Sequence, residues 1–357
     1  MKANVLLIVA MIGGGCILEP PVSNNGGGPD QSTLKSCERW EVRWSDETID
    51  ASILQTTATV EAHIGPASPD TVYIVGGTRP STEQPIAQSR IFRSVEGNAF
   101  ELLVEESEQN PLHAIRCDDG ECWFGGSRQR LGVLRDGEVI AATHDANGNF
   151  TVLSIASAEG IVAAFAEHGL FVSSTSFPDT FSFSPYEDGT HGTLGACGAR
   201  ECVAVLVTRP ETETDTYHLS LARVDAASRE VTHVVPEMLP VCERSNCGLQ
   251  QIAVTEAGWF LAYENGLLYQ STDAGVSWFV PEGPLGTPRG EWLELDFHGS
   301  TGAVMTETEL FFSVDAGKTF AAVPAKELLQ EIAFADERSG VGLAATTARR
   351  FEIVCLD

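Results

Sequence analysis

Two segments of the chain repeat one eight-residue pattern. Ser271-Thr272-Asp273-Ala274-Gly275-Val276-Ser277-Trp278 and Ser313-Val314-Asp315-Ala316-Gly317-Lys318-Thr319-Phe320 both read S-x-D-x-G-x-[ST]-[WF], and they lie 42 residues apart. Each follows a short apolar run, Leu267-Leu268-Tyr269-Gln270 in one case and Leu310-Phe311-Phe312 in the other. The residue types suit a hairpin turn. Asp273 and Asp315 can accept bonds from amides of their own turn. Gly275 and Gly317 can take φ > 0 without steric cost. Ser271 and Ser313 can tie the base of the turn, and Trp278 and Phe320 begin the outgoing strand and fill an apolar gap. All of these roles are structural, so neither aspartate is assigned to catalysis. Recurrence at this period marks a supersecondary unit that stacks with its neighbours.

The pattern resembles the Asp-box, or BNR repeat, of sialidases, sortilin-like receptors and photosystem-assembly propellers. Degenerate copies precede it. Ser174 to Phe181 keeps the hydroxyl and the aromatic; Arg93 to Phe100 is one residue tighter, with Glu96 near the aspartate place. Leu134-Arg135-Asp136-Gly137 gives a shorter turn, and Ala222 to Val231 holds Asp225. With Glu96, Asp136, Ser176, Asp225, Asp273, Asp315 and Ile353 as anchors, the gaps are 40, 40, 49, 48, 42 and 38 residues. A four-stranded propeller blade takes about 40–50 residues. The chain is therefore read as all-β: a seven-bladed β-propeller with four-stranded antiparallel blades, or a six-bladed one if an upstream anchor is spurious. No stretch sustains a 3.6-residue apolar period; Lys326 to Ile332 is expected to form one brief helical turn.

The last blade parses one strand short, as Leu329 to Phe334, Val341 to Ala345 and Phe351 to Cys355. Glu38 to Trp44 can supply its outer strand from the N-terminal end. The cysteines agree with this closure. Of nine, Cys16 stands apart near the N-terminus, and three couples share a spacing of four intervening residues, in CDDGEC, CGAREC and CERSNC. Cysteines flanking a hairpin turn can meet at a Cα separation of about 5.5 Å, which suits a disulfide. The expected pairs are Cys117–Cys122, Cys197–Cys202 and Cys242–Cys247, with Cys37–Cys355 clasping the ends. Zinc is the competing reading, but it needs converging ligands at shorter spacings, and no histidine stands in a ligand-like position.

Met1 to Asn4 is a short positive start, and Val5 to Ile12 is an apolar run far below the roughly 20 residues of a spanning helix. Gly13-Gly14-Gly15-Cys16 follows. Residues 1–15 are read as a signal peptide. The small residues before Cys16 resemble a bacterial lipoprotein signal, though Gly13 stands where such signals usually carry leucine. The resemblance implies lipidation of Cys16, with palmitate, and, since Ile17 rather than aspartate follows, residence at the outer membrane. Residues 16–35 hold adjacent prolines and a glycine triplet and read as a flexible tether; residues 36–357 are the propeller domain.

Fifty acidic residues against 22 basic ones give a formal charge of −28. Such a chain repels nucleic acid and anionic lipid, so membrane contact is expected through the anchor only. The apolar fraction of 43% is enough for a full core. There is no H-E-x-x-H, G-x-S-x-G or phosphate-binding glycine loop. The resemblance to sialidases would imply three arginines from separate blades, a Tyr/Glu nucleophile pair, a loop aspartate and an Arg-Ile-Pro signature. Here Ser89-Arg90-Ile91-Phe92 lacks the proline, Tyr263 beside Glu264 is the nearest nucleophile candidate, and Arg349 and Arg350 point opposite ways by alternation. Asp118, Asp119 and Glu121, or Glu211, Glu213 and Asp215, would need six to eight converging oxygens to hold a structural Ca²⁺. No cofactor or metal is therefore expected. The expected function is non-catalytic binding or scaffolding by a monomer that meets a protein or glycan at the cell envelope. Glu105 to Pro111, Thr208 to Thr216 and Pro281 to Arg289 are its candidate variable loops. The alternative is a divergent BNR-type glycoside hydrolase.

Overall fold

The second strand of each blade explains the architecture. Ile161–Ala166, Glu201–Thr208, Gly258–Tyr263 and Thr301–Thr306 are almost uninterrupted apolar runs. A strand buried on one face alternates; a continuous run needs cover on both. Thr301–Thr306 sends Ala303 and Met305 into one core cluster and Val304 into the next. Its partner strand does the same with the adjacent Phe312 and Phe311. Each sheet is thus sandwiched between two others. Among the described residues the strands form seven sheets, with seven hydrophobic clusters between them. The protein is a seven-bladed β-propeller of mostly four-stranded antiparallel blades.

The structure is a computed structural model. Residues 1–9, 12–36, 38, 58, 69, 79–87, 107–110, 159, 175, 188–189, 209–217, 226–227, 229, 237–248, 264–265, 283–284, 287–291 and 357 lie outside the described residues. So do Cys16, the Cys242–Cys247 couple, the Glu211–Asp215 acids and much of the three expected variable loops.

From the channel outward, the first blade is Val60–Pro66, Thr71–Gly77, Ser89–Val95 and Glu101–Glu106, and the second is Leu112–Asp118, Glu121–Gly126, Leu131–Arg135 and Glu138–Ala141. The third is Val152–Ala158, Ile161–Ala166, Gly169–Ser174 and Phe177–Pro185, with Thr143–His144 added in parallel on its rim. The fourth is Thr190–Cys197, Glu201–Thr208, His218–Asp225 and Val231–Val234. The fifth has Leu249–Thr255, Gly258–Tyr263 and Leu268–Ser271, its fourth strand reduced to the single bridge between Gln270 and Phe279. The sixth is Trp292–His298, Thr301–Thr306, Leu310–Ser313 and Ala321–Ala322.

The seventh blade closes the ring. Glu331–Phe334, Ser339–Leu343 and Thr347–Cys355 come from the C-terminal end, and Arg39–Trp44 adds the outer strand, pairing Trp40 with Cys355 through to Trp44 with Phe351. Ala10 and Met11 pair beyond it with Trp40 and Arg39. Trp40, Val42 and Trp44 alternate into the core between the sixth and seventh blades, where Phe312, Phe334 and Phe351 meet edge to face. Cys37 and Cys355 form the expected clasp, with Cα atoms 5.6 Å apart. Cys117–Cys122 and Cys197–Cys202 are also bonded, each joining the first strand of its blade to the second.

Both repeated turns close on the same bonds. Ser271 Oγ donates to Asp273 Oδ1 at 2.8 Å and accepts from the Gly275 amide at 2.9 Å. Ser313 does the same with Asp315 and Gly317, both at 2.8 Å. The aspartates then receive the amide and hydroxyl of Ser277 and Thr319. Gly275 and Gly317 have φ of 85° and 89°, and a Cβ on them would run into Trp259 and Phe260 respectively, both of the second strand of the fifth blade. The preceding residues, Ala274 and Ala316, are left-handed too, at 57° and 63°.

Two expectations are corrected. Glu96 and Asp136 fall between third and fourth strands, as the spacing requires, but they are not degenerate copies of the repeated turn. Each is followed by a left-handed glycine, Gly97 or Gly137, as in the repeated turn, but the loop is only two residues long: Arg135 pairs directly with Glu138, and the Asn98 amide returns to the Val95 carbonyl, as in a tight hairpin. Lys326 to Ile332 is not helical: Glu331 and Ile332 belong to the inner strand of the seventh blade, drawn there by burial of Leu329 and Ile332. The short helix is instead Ile53–Thr56, on the crossing from the closure strand to the first blade, with Leu54 buried.

Candidate functional site

The inner strands of the seven blades surround a channel of about 330 Å³. Six of them carry a register shift near their start, between Val60/His63, Leu112/Ala114, Val152/Ser154, Gly192/Leu194, Leu249/Gln251 and Trp292/Glu294. A bulge re-aims the side chains after it. Beyond it, and in the seventh blade without one, alternate residues, among them Ile64, Ile155, Ile252, Leu295 and Ile332, are buried against neighbouring blades, and the residues between them line the channel.

The register sorts the lining into two levels. The first holds His63, Ala114, Ser154, Leu194, Gln251, Glu294 and Glu331, in blade order. Its carboxylates, with Gln251 and His63, occupy one continuous arc, from the fifth blade through the sixth and seventh to the first. The opposite arc holds Ala114, Ser154 and Leu194, and beside them His113, whose Nε2 is bonded to Ser127 Oγ at 2.8 Å. The second level holds Gly65, Arg116, Ala156, Ala196, Ala253, Asp296 and Ala333. Only the second and sixth blades place charge there. Arg116 donates to Asp296 Oδ1 at 2.8 Å and to the Phe297 carbonyl at 3.2 Å. The second and sixth blades are not neighbours, so this ion pair bars the channel near the turns that lead to the second strands.

The carboxylates differ in what they meet. Asp296 also accepts the Phe334 amide at 3.0 Å. Glu331 accepts the Ile64 amide at 3.1 Å and lies 3.7 Å from His63 Nδ1. Among the described residues Glu294 has a single long bond, 3.4 Å, from the Leu295 amide. Removal from bulk water, then repulsion from Glu331 and Asp296, raises its carboxyl well above the ordinary range. Its residual exposure faces the channel interior. Beyond the ion pair sits His298, whose pKa is lowered by burial first and by Arg116 second, against the pull of Asp118, Asp296 and Asp336. Among the described residues no three His, Cys, Asp or Glu side chains are grouped so as to hold a metal.

The residues weighed for hydrolysis lie elsewhere. Tyr263 packs in the core between the fourth and fifth blades, edge to face with Tyr269 at 5.2 Å. Burial first, then Tyr269, pushes its phenol up, which disfavours the nucleophilic form. Arg90 sits in the third strand of the first blade, bonded to Glu105 at 2.9 Å. Arg349 turns to Glu327 and the Ser45 carbonyl, and Arg350 turns the other way, to the Asp70 carbonyl. Asp118 and Glu121 face each other across a turn, and Glu121 pairs with Arg135.

Sequence reasoning missed the channel residues Arg116, Glu294, Asp296 and Glu331. A signal was present: Glu294 and Asp296 stand at i and i+2 in Trp292–His298, a strand otherwise apolar around them. Charges at that spacing share one side of a strand.

No family model and no curated protein matches the chain. Solved structures do. YCF48 bound to D1 peptide aligns over 88% of this chain and 95% of its own, at 14% identity and a TM-score of 0.51. The WD40 β-propeller domain of Doa1 aligns over 83% and 95%, at 11% identity and a TM-score of 0.51. A chain of the mitotic checkpoint complex aligns over 95% and 98%, at 8% identity and a TM-score of 0.52. At these identities the likeness is one of fold.

Proposed function

We propose that this protein is a non-catalytic propeller of the Asp-box type that binds a protein or glycan at the cell envelope, held at the outer membrane by a lipid on Cys16. The observation that carries the reading is the dispersal of the groups a sialidase-like reaction would need. Among the described residues lining the channel, Arg116 is the one arginine, and Asp296 engages it. Arg90, Arg349 and Arg350 are bonded on separate elements, and Tyr263 is buried away from them. Propellers of similar fold occur bound to a peptide and within a multiprotein complex. A fold does not fix a function, but a closed ring offers rigid loops on two faces.

Two measurements test this reading. The full chain, expressed in a bacterial host and purified in detergent, is assayed against fluorogenic sialosides and related glycosides. No turnover above the uncatalysed rate is expected. Turnover lost on Tyr263→Phe or Arg116→Met would establish the hydrolase alternative instead. Metabolic labelling with radioactive palmitate should mark the protein, and Cys16→Ser should abolish both the label and sedimentation with outer membranes.

A further inference from the structure

The channel is amphipathic across its width. Its first level sets Gln251, Glu294, Glu331 and His63 on one arc against Ala114, Ser154 and Leu194 on the other, and the ion pair of Arg116 with Asp296 forms its floor. The volume, about 330 Å³, lies at the lower end of the range for small-molecule pockets, roughly 300–1,000 Å³. Three carboxyl groups face one guanidinium, so the ionised lining is acidic. Two of the carboxylates already have donors. Glu294 is held least: among the described residues its one bond is the long one, 3.4 Å, from its neighbour's amide. A carboxylate held out of bulk water beside two others needs a cation or a proton, and burial does raise the affinity of Glu294 for a proton.

We infer that the channel is a receptor for an alkylammonium group, with the ammonium between Glu294 and Glu331 and its methylenes against the arc of Ala114 and Leu194. The claim deepens the binding-module reading and rests on it. The geometry selects this ligand over the alternatives. A divalent cation needs several oxygens converging on one point, and no such group exists among the described residues. An anion would meet the carboxylates. A neutral apolar ligand would leave Glu294 unpaired. An ammonium group brings three donors on a compact charge, and its chain matches an apolar wall on one side only. The net charge of −28 draws cations toward the molecule at low ionic strength.

Isothermal titration of the full-length protein with n-butylamine, 1,5-diaminopentane and an Nα-acetyl-lysine peptide tests the inference; n-butanol and CaCl₂ are controls. Saturable one-to-one binding of the amines and no comparable binding of n-butanol is the expected result. Glu294→Gln should weaken amine binding at least tenfold. It should also raise the thermal midpoint, because it removes a carboxylate that Glu331 and Asp296 repel; a residue of purely structural role would not couple loss of binding to gain of stability. Glu331→Gln, which keeps the amide-accepting oxygen, provides a second variant with the same expected direction. Free amine and lysine peptide competing for one site would support the inference, and their relative affinities would show whether a free metabolite or a partner's lysine is the better occupant. Absence of saturable amine binding, undiminished binding in Glu294→Gln, or tighter binding of Ca²⁺ than of any amine would overturn it. Such a failure leaves the binding-module reading standing, because that reading falls only on glycoside turnover.

Discussion

Removing the clasp between Cys37 and Cys355 should cost far more stability than removing a disulfide within a blade. The two bonds differ in the loop they close: 318 residues of separation for the clasp and five for Cys197–Cys202. In the chain-entropy model the loss on deleting a crosslink grows as 1.5RT ln n, and the constant term cancels between the two. The ratio 318/5 then gives a difference of about 3.7 kcal/mol, from about 5.7 for the clasp and about 2 for the local bond. Packing trims the gap. Cys202 is buried, whereas Cys37 and Cys355 sit at the edge of the core between the sixth and seventh blades. Loss of one buried sulfur group costs about 1 kcal/mol, so the expected difference is about 2–3 kcal/mol. The assay compares urea unfolding, followed by tryptophan fluorescence, of Cys37→Ala/Cys355→Ala and Cys197→Ala/Cys202→Ala with the parent protein under oxidising conditions. The clasp variant should also show a larger m-value, because its denatured chain is no longer cyclised and exposes more surface. Its native sheet should persist, held by the pairing of Trp40 through Trp44 with the last strand. Equal destabilisation of the two variants, or a clasp variant within about 1 kcal/mol of the parent, would refute the view that the clasp acts on the ends of an otherwise open chain.

Four further outcomes follow from the same contacts. Ser313→Ala strands the Gly317 amide inside a buried turn; a loss of about 1–3 kcal/mol is expected in urea unfolding, and a neutral result would mean that water replaces the hydroxyl. For Arg116 and Asp296, whose side chains are 17% and 16% exposed, Arg116→Met or Asp296→Asn should each cost about 2–3 kcal/mol, with the double variant recovering part of it; additive losses in the cycle would show that the pair is not coupled. The hydroxyl of Ser277 first, then its amide, lowers the Asp273 carboxyl from an ordinary 3.8 to about 2. Its stabilisation is therefore complete above pH 3.8 and lost as pH falls toward 2, and an NMR titration of the carboxyl checks the value. Glu294 carries the opposite sign: its raised pKa means that the folded state holds the proton more tightly than the unfolded state. Its contribution is present below the ordinary glutamate value and declines as pH rises above it. Glu294→Gln should flatten that part of the stability–pH curve, and an unchanged slope would assign it to other groups.

The ring was legible from the sequence because its signals are local or periodic. A turn of the Ser271–Trp278 kind carries its hydroxyl, carboxylate, glycine and aromatic within eight residues. The same bonds form in both copies because the partners are never more than four residues apart. The anchors drawn at Glu96, Asp136 and Ser176 fall between third and fourth strands and Asp225 ends a third strand, although the turns at Glu96 and Asp136 are shorter than the repeated one. Closure was legible for another reason. An incomplete last blade and an unpaired cysteine at each end require the same partner, whichever turns lie between them. The helical turn expected at Lys326 to Ile332 failed because burial in the inner strand outweighed local preference, as tertiary context commonly does.

The candidate site is of another kind. His63, Arg116, Gln251, Glu294 and Glu331 lie far apart in the chain, and apart from the Glu294–Asp296 spacing each is indistinguishable in sequence from a solvated polar residue. Which of them face the channel depends on a one-residue bulge, and a slip of one residue turns every side chain to the other side. Which of them meet depends on blade order around the ring: Arg116 reaches Asp296 because closure sets the second blade across from the sixth. The sequence by itself determined the period, the turns and the clasp, since these rest on bonds between near neighbours or on the count of units. Only the tertiary structure decided the channel, because its polarity arises from strands that meet nowhere but at the axis of a closed ring.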